Sequence, residues 1–295
     1  MDPFGPKALI TGSILATLLA LRAVKKKSLT LAGATAGFAV GFVLVSTGLR
    51  GLTLFFFYQI GSWATKYKQT IKMKLDQTVA TASVRGATQV LAVSVTAVVL
   101  SLYHVWRFGA EQELDFDKSF EASAVSAAIL AQHAVSLGDT LASELGMATA
   151  TPQKMVRLVL PPFSLVPPGT NGGVTVLGTI WSILGGCLCS LFTLAMDSLS
   201  GILPTDDVFA YMARVVFFGA LCGGLGSLLD SILGASVQIT YWDEERKLVR
   251  HDNGGGKCKQ IAGLFPLLSN EGVNVVSVAL TAAIGGWVLA PIVLS

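Results

Sequence analysis

Hydrophobic residues in this chain run in long blocks, and the charged residues are pushed into the gaps between them. Eight blocks stand out, at about 8–22, 29–49, 51–66, 86–106, 119–141, 173–196, 209–230 and 273–294. A helix of roughly 18 or more nearly charge-free residues is long enough to cross the hydrocarbon of a bilayer. In lipid a helix also satisfies its backbone groups within one segment. The pattern therefore predicts an all-α, polytopic transmembrane helix bundle of about eight spans, within a range of six to eight, because 51–66 is short and 8–22 is marginal. One integral membrane domain covers 1–295, with less characteristic spans in 1–118 and a core rich in polar motifs in 119–295.

Composition supports this picture. Only 13% of the 295 residues are charged and 52% are hydrophobic, where a soluble domain carries about a quarter charged residues. That hydropathy excludes a soluble nucleic-acid-binding protein despite the net charge of +3. The charge reads instead as topology, since Lys and Arg collect in cytoplasmic loops. With the first connection placed in the cytosol, that side receives Arg22, Lys25 to Lys27, Lys66, Lys68, Lys72, Lys74, Arg85, Lys154, Arg157, Arg246, Lys247, Arg250, Lys257 and Lys259, or 16 of the 21 basic residues. Both termini then face away from the cytosol. Lys25 to Lys27 follow the first apolar block, the reverse of a cleavable signal peptide, and no transit-type leader is seen. A mature N-terminus is expected, in the endoplasmic reticulum or another endomembrane rather than the plastid, with the plasma membrane as a further option.

Cys187, Cys189 and Cys222 lie inside apolar blocks, and the Cys187-x-Cys189 spacing has no His nearby to complete a metal set. These cysteines, with Cys258, read as small residues, and His104, His133 and His251 as packing or surface residues. No zinc site is expected. "CGGLGS" at Cys222–Ser227 is mid-block and reads as a close helix crossing. No G-x-x-x-x-G-K-[ST] is present, and no G-x-G-x-x-G with an acidic partner.

Two loops differ from the rest. Gly146 to Gly172 holds five prolines, and Asp243 to Ser269 is polar and contains "NGGGK". "GDTLASELG" precedes the first and "LDSILGASVQ" the second, while "TNGGVTV" and "SNEGVNV" follow them. Asp139 thus aligns with Asp230, Thr140 with Ser231, Asn171 with Asn270, Gly173 with Gly272 and Thr175 with Asn274. One helical hairpin separates the copies, so they read as a parallel repeat of two hairpins. Packed about an axis normal to the bilayer, they would gather two Asp-bearing helix ends and two Asn-Gly helix starts at one cytosolic cleft. The plainer reading is two helix boundaries with common capping residues.

Acids at the end of a span need a partner, water or a task. Asp139 and Glu144 stand roughly 140° apart around an unbroken helix, so they do not share one ion. Asp139 with Asp230 is the better carboxylate pair, and such hard oxygen ligands suit Mg²⁺. Glycines and free N–H groups at Thr170, Asn171, Gly172 and Gly173 would suit a phosphate at a helix N-terminus, with Lys154 and Arg157 nearby. Thr170 or Asn171 capping the helix with its own side chain is the commoner arrangement.

The ordered motifs "GDTLASELG", "PPGTNGGVTVLG", "LLDSILGASVQ" and "NEGVNVVSVAL" resemble the integral membrane family known as domain of unknown function 92, most closely its transmembrane protein 19 branch. The resemblance is strong over Gln132–Ile284. Relatives in that family include the phytyl-phosphate kinase of vitamin E synthesis, and a plant member is linked to glucose responses. The resemblance implies a nucleotide- and Mg²⁺-dependent kinase acting on an isoprenoid or other membrane lipid phosphate at the cytosolic face, with a nucleoside triphosphate, CTP among the options, as co-substrate. Asp139, Glu144 and Asp230 would serve catalysis, with Asp139 and Asp230 on the metal. Thr170, Asn171, Gly172, Gly173, Asn270 and Asn274 would bind phosphate. Glu271 departs from the family pattern by placing negative charge where phosphate would sit. The competing reading is a non-catalytic transporter or sugar-response signalling protein whose paired Asp and Asn hairpins bind an ion or small solute.

Overall fold

The computed structural model describes residues 1–76, 79, 84–150, 155–252 and 258–295. It is mostly helical. In chain order the helices are α1 (Pro6–Lys25), α2 (Leu31–Thr47), α3 (Thr53–Lys66), the single turn α4 (Gln69–Lys72), α5 (Ala87–Ala92), α6 (Val95–Phe108), α7 (Phe120–Met147), α8 (Val176–Ser200), α9 (Val208–Val237) and α10 (Asn270–Ile284). The last continues through a π turn at Gly285–Leu289 into Ala290–Val293. Among the described residues four stretches can cross a membrane by length and composition: α1, α8, α9 and the run Asn270–Val293. The expected block 86–106 is two helices, broken at Val93 and Ser94.

The bundle is built around α7. From Ala122 to Gly138 nearly every side chain is buried, and most of these residues are small, Ala, Ser, Gly and Val, with two Leu, one Ile, Gln132 and His133 among them. A helix that can be approached on every side becomes the axis of its bundle. The closest approach joins α7, α8 and α9. A Cβ added at Gly186 would stand 1.9 Å from the Gly219 carbonyl oxygen, one at Gly223 2.4 Å from that of Ser182, and one at Gly138 2.7 Å from that of Ser182. The "CGGLGS" stretch lies on this seam, as its small residues suggested.

The all-α expectation needs one correction: among the described residues six short strands interrupt the helices. Val156–Leu158 (β1) pairs antiparallel with Leu165–Val166 (β2) and Gly173–Val174 (β3), in the order β2-β1-β3. Thr240–Asp243 (β4) pairs antiparallel with Leu248–Arg250 (β5) and Cys258–Ala262 (β6), in the order β5-β4-β6. Both sheets form in and directly beside the two unusual loops. The strands are two to five residues long, too short for alternation to show against a hydrophobic background. Asp243 closes the β4–β5 turn by accepting from the Arg246 amide at 2.8 Å and the Glu245 amide at 3.0 Å. Those bonds, with Arg250 beside them, hold its carboxyl below the usual carboxylate range. An isolated bridge between Asp76 and Val249 ties the segment after α4 to the second sheet.

Candidate functional site

Where α7 and α9 end and α8 and α10 begin, the bundle opens into a cavity of about 1510 Å³. All nine residues expected at the site line it: Asp139, Glu144, Thr170, Asn171, Gly172, Gly173, Asp230, Asn270 and Asn274. Residues from both halves of the suspected repeat therefore share one space.

Asp139 and Asp230 project from neighbouring helices and are near enough to repel each other. Each accepts from a serine on another helix. Ser227 on α9 donates to Asp139 Oδ1 at 3.0 Å, and Ser277 on α10 donates to Asp230 Oδ2 at 2.7 Å. Among the described residues neither carboxylate has a Lys, Arg or His in salt-bridge contact, so two close acids keep one oxygen each without a hydrogen-bond donor. Such a donor set fits Mg²⁺, which takes one or two carboxylates and fills its octahedron with water and substrate phosphate. No group of three or more His, Cys, Asp or Glu among the described residues forms an all-protein cage.

Glu144 does something else. Helix α7 runs unbroken past it, which turns it away from Asp139 as the spacing required. Its Oε2 accepts from Lys72 Nζ at 2.5 Å. Lys72 is fully buried and also donates to the carbonyls of Ala64 at 3.0 Å and Thr65 at 2.7 Å. An ammonium so enclosed needs a carboxylate, and Glu144 supplies it.

The first phosphate-binding stretch is also placed differently from expectation. Helix α8 starts at Val176 and is capped by Thr175, whose hydroxyl accepts from the Gly178 amide at 2.9 Å. Thr170 and Asn171 therefore lie before the helix, in a turn, and Thr170 Oγ1 donates to the Pro167 carbonyl at 2.7 Å. Gly172 has φ +77°, and a Cβ on it would lie 2.3 Å from Ala235 Cβ. Its missing side chain thus permits a tight turn against α9. The second stretch behaves as expected: α10 begins at Asn270 behind Ser269, which accepts from the Gly272 amide at 3.2 Å. The two copies differ because β3 takes up Gly173 and Val174 and delays the first helix.

Of the two bases expected near the cavity, only Arg157 lies among the described residues. Arg157 is exposed on β1 and donates to the Phe163 carbonyl at 3.0 Å, outside the cavity lining. Lys154 and Lys257 lie outside the described residues. Arg85 and His251 line the cavity instead. Arg85 donates to Thr65 Oγ1 at 3.1 Å. Burial pushes its pKa below the usual guanidinium value, a shift opposed by the charge of Glu144. His251, expected to be a packing or surface residue, accepts at Nδ1 from the Asn171 side-chain amide at 3.2 Å, which leaves Nε2–H to donate to Asp76 Oδ2 at 3.1 Å. In the sequence these groups were hidden: Lys72 and Arg85 were counted as loop charge, and Asp76 and His251 are 175 residues apart.

Comparison with known proteins agrees with this architecture. The family described as "Integral membrane protein DUF92" matches residues 14–282. "Protein PGR" of Arabidopsis thaliana is 34% identical over 276 residues, 93% of each chain. "Protein VTE6, chloroplastic" of the same plant is 25% identical over 243 residues, 82% of this chain and 56% of its own. "Uncharacterized membrane protein MJ0933" of Methanocaldococcus jannaschii is 31% identical over 102 residues, 35% of this chain and 36% of its own. No solved structure matches significantly.

Proposed function

From the premise that this chain belongs to the DUF92 integral membrane family, we propose that it is a lipid-phosphate kinase. The reaction moves the terminal phosphoryl group of a nucleoside triphosphate onto the phosphate of an isoprenoid-type lipid at the cytosolic membrane face. The bond from that phosphorus to its bridging oxygen breaks, a bond to an acceptor phosphate oxygen forms, and the products are a nucleoside diphosphate and a lipid diphosphate. The observation that carries this reading is the pair Asp139 and Asp230, unpaired by any described base, in a cavity also lined by Asn171, Gly172 and Gly173 after the first loop's prolines and by Asn270 and Asn274 of α10.

Phosphoryl transfer asks the protein mainly to position reactants and neutralise charge. Asp139 and Asp230 would hold Mg²⁺, which supplies charge neutralisation between phosphates when bound. Ser227 and Ser277 fix the orientation of the two carboxylates. Asn270 and Asn274, one turn apart on α10, offer side-chain amides, and the start of α10 offers backbone N–H groups. Thr170, Asn171, Gly172 and Gly173 offer a turn to phosphate rather than a helix start. Glu144 acts through Lys72, as the partner that holds this buried cation in place.

The eight apolar blocks each cross the bilayer in this reading, and the second half is a parallel repeat of two hairpins. Support comes from the cavity, whose lining draws on the ends of helices that charge topology assigns to the cytosol. Labelling of single cysteines at Arg157 and Arg246 from the cytosolic side, and at Asp206 from the other, checks this. Protection of either arginine site from a cytosolic reagent sinks the repeat.

Activity is tested with purified protein in detergent, isoprenoid monophosphates and each of four nucleotides, comparing wild type with Asp139→Asn and Asp230→Asn. Absence of Mg²⁺-dependent turnover with every lipid phosphate, in folded protein, removes the kinase reading. One observation favours a second reading: Glu271 and Glu144 join the two aspartates in the lining. That acid-rich wall suits a cation or hydroxyl-rich solute, as a transporter or signalling protein would bind.

A further inference from the structure

Next to the large cavity lies an apolar crevice of about 60 Å³, walled by Leu19 and Ala20 of α1, Gly37 of α2, Leu54 of α3 and Val90 of α5. Four residues line both spaces: Phe57, Arg85, Gln89 and Val93. The crevice is thus the apolar continuation of the polar cavity, and Arg85 stands at the junction. Neighbouring positions Leu18, Leu21 and Leu91 are exposed, which is the character of a surface facing lipid.

Among the described residues Arg85 uses few of its donors. Its guanidinium has five N–H donors, and among the described residues it makes one side-chain hydrogen bond, to Thr65 Oγ1. The acid whose charge acts on it, Glu144, is in contact with Lys72 instead. No described carboxylate forms a salt bridge with Arg85. A planar cation with donors to spare, between a polar chamber and an apolar slot, matches a phosphate carried on the end of a hydrocarbon chain.

We propose that Arg85 anchors the phosphate of a lipid monophosphate whose hydrocarbon chain begins in this crevice and continues into the bilayer. The crevice takes the first segment of the chain, since its volume is too small for a long tail. The proposal rests on the lipid-phosphate reading above and adds which cation receives the acceptor and by which side its tail leaves. It predicts that the acceptor approaches from the α1, α3 and α5 side while the nucleotide occupies the part of the cavity nearer the two sheets.

Binding separates this from catalysis. Farnesyl monophosphate, farnesol and inorganic phosphate are titrated without nucleotide onto the full chain in detergent. The monophosphate is expected to bind at least about tenfold more tightly than either fragment, which is about 1.4 kcal/mol. Arg85→Gln should weaken monophosphate binding about tenfold and leave farnesol unchanged. Gly37→Leu fills the crevice from a position where a Cβ meets only Leu29 Cδ1 at 3.6 Å; it should weaken both farnesyl ligands and spare inorganic phosphate. If Arg85→Gln fails to fold, Gly37→Leu decides alone. Full monophosphate affinity in Gly37→Leu, affinity indifferent to Arg85, or inorganic phosphate binding as tightly as the lipid overturns the proposal. Arg85-dependent binding with no turnover keeps it and removes the kinase reading. Turnover with Arg85-independent binding does the reverse.

Discussion

Helix α8 connects two polar centres that answer burial in opposite ways. Its last turn carries Asp197, which takes Arg50 in a two-pronged pair, Nε to Oδ1 at 2.6 Å and Nη2 to Oδ2 at 3.1 Å. Arg50 Nη2 also donates to the Gln112 carbonyl at 3.0 Å, and the Arg50 amide to Glu111 at 3.0 Å. The adjoining space is about 30 Å³, room for a water or two. At the other end, the first turn of α8 faces the 1510 Å³ cavity, where Asp139 and Asp230 have serine partners and no described cation. Charge matched and sealed stabilises a fold; charge unmatched and open to a large space is available to a ligand.

The contrast is most sharply tested by removing charge at each end. Arg50→Met leaves Asp197 buried without its cation and should cost about 3–5 kcal/mol, read as a large fall in thermal stability in detergent. Asp139→Asn and Asp230→Asn should leave that stability within about 1 kcal/mol while reducing Mg²⁺-dependent turnover by about 100-fold or more. Equal destabilisation at the two ends would erase the distinction. A smaller effect tests the wall between them: Gly186→Ala drives a methyl against the Gly219 carbonyl and should cost about 1–3 kcal/mol, measured by the same melt. The smallest concerns the start of α8. Thr175→Ala should cost about 1 kcal/mol as a lost N-cap, whereas Asn171→Ala, outside the helix, should leave α8 intact by circular dichroism and affect ligand binding instead.

Much of this molecule could be read from its sequence, and the exceptions share a cause. The apolar blocks located the helices because in a bilayer length and hydropathy decide the matter. The Asp139, Asp230, Asn171 and Asn270 grouping was legible because two ordered stretches repeat it. The angle between Asp139 and Glu144 was legible too, from helix geometry alone. The six strands were not, being too short to show a period. Glu144's partner was not, because Lys72 looked like one more basic residue in a loop and only packing shows it to be fully buried. Asn171, His251 and Asp76 meet through tertiary structure that no local pattern encodes. The start of α8 was misplaced because Thr170 and Thr175 are equally good caps by type, and the pairing of β3 with β1 chose between them.

The glycine seam of α7, α8 and α9 has a mechanical consequence. With carbonyl oxygens of one helix already where a neighbour's Cβ would be, these three helices have no clearance to slide, and the aspartate wall of the cavity is a fixed jaw. Any widening to admit a bulky guest must come from the facing jaw, where α3, α5 and the break after α5 contribute larger side chains such as Phe57, Gln89 and Val93. Spin-label distances from α8 to α9 should therefore stay narrow, and those from α1 to α7 should broaden when ligand is withdrawn. A breathing α8–α9 distance would show that the seam yields and that the fixed jaw lies elsewhere.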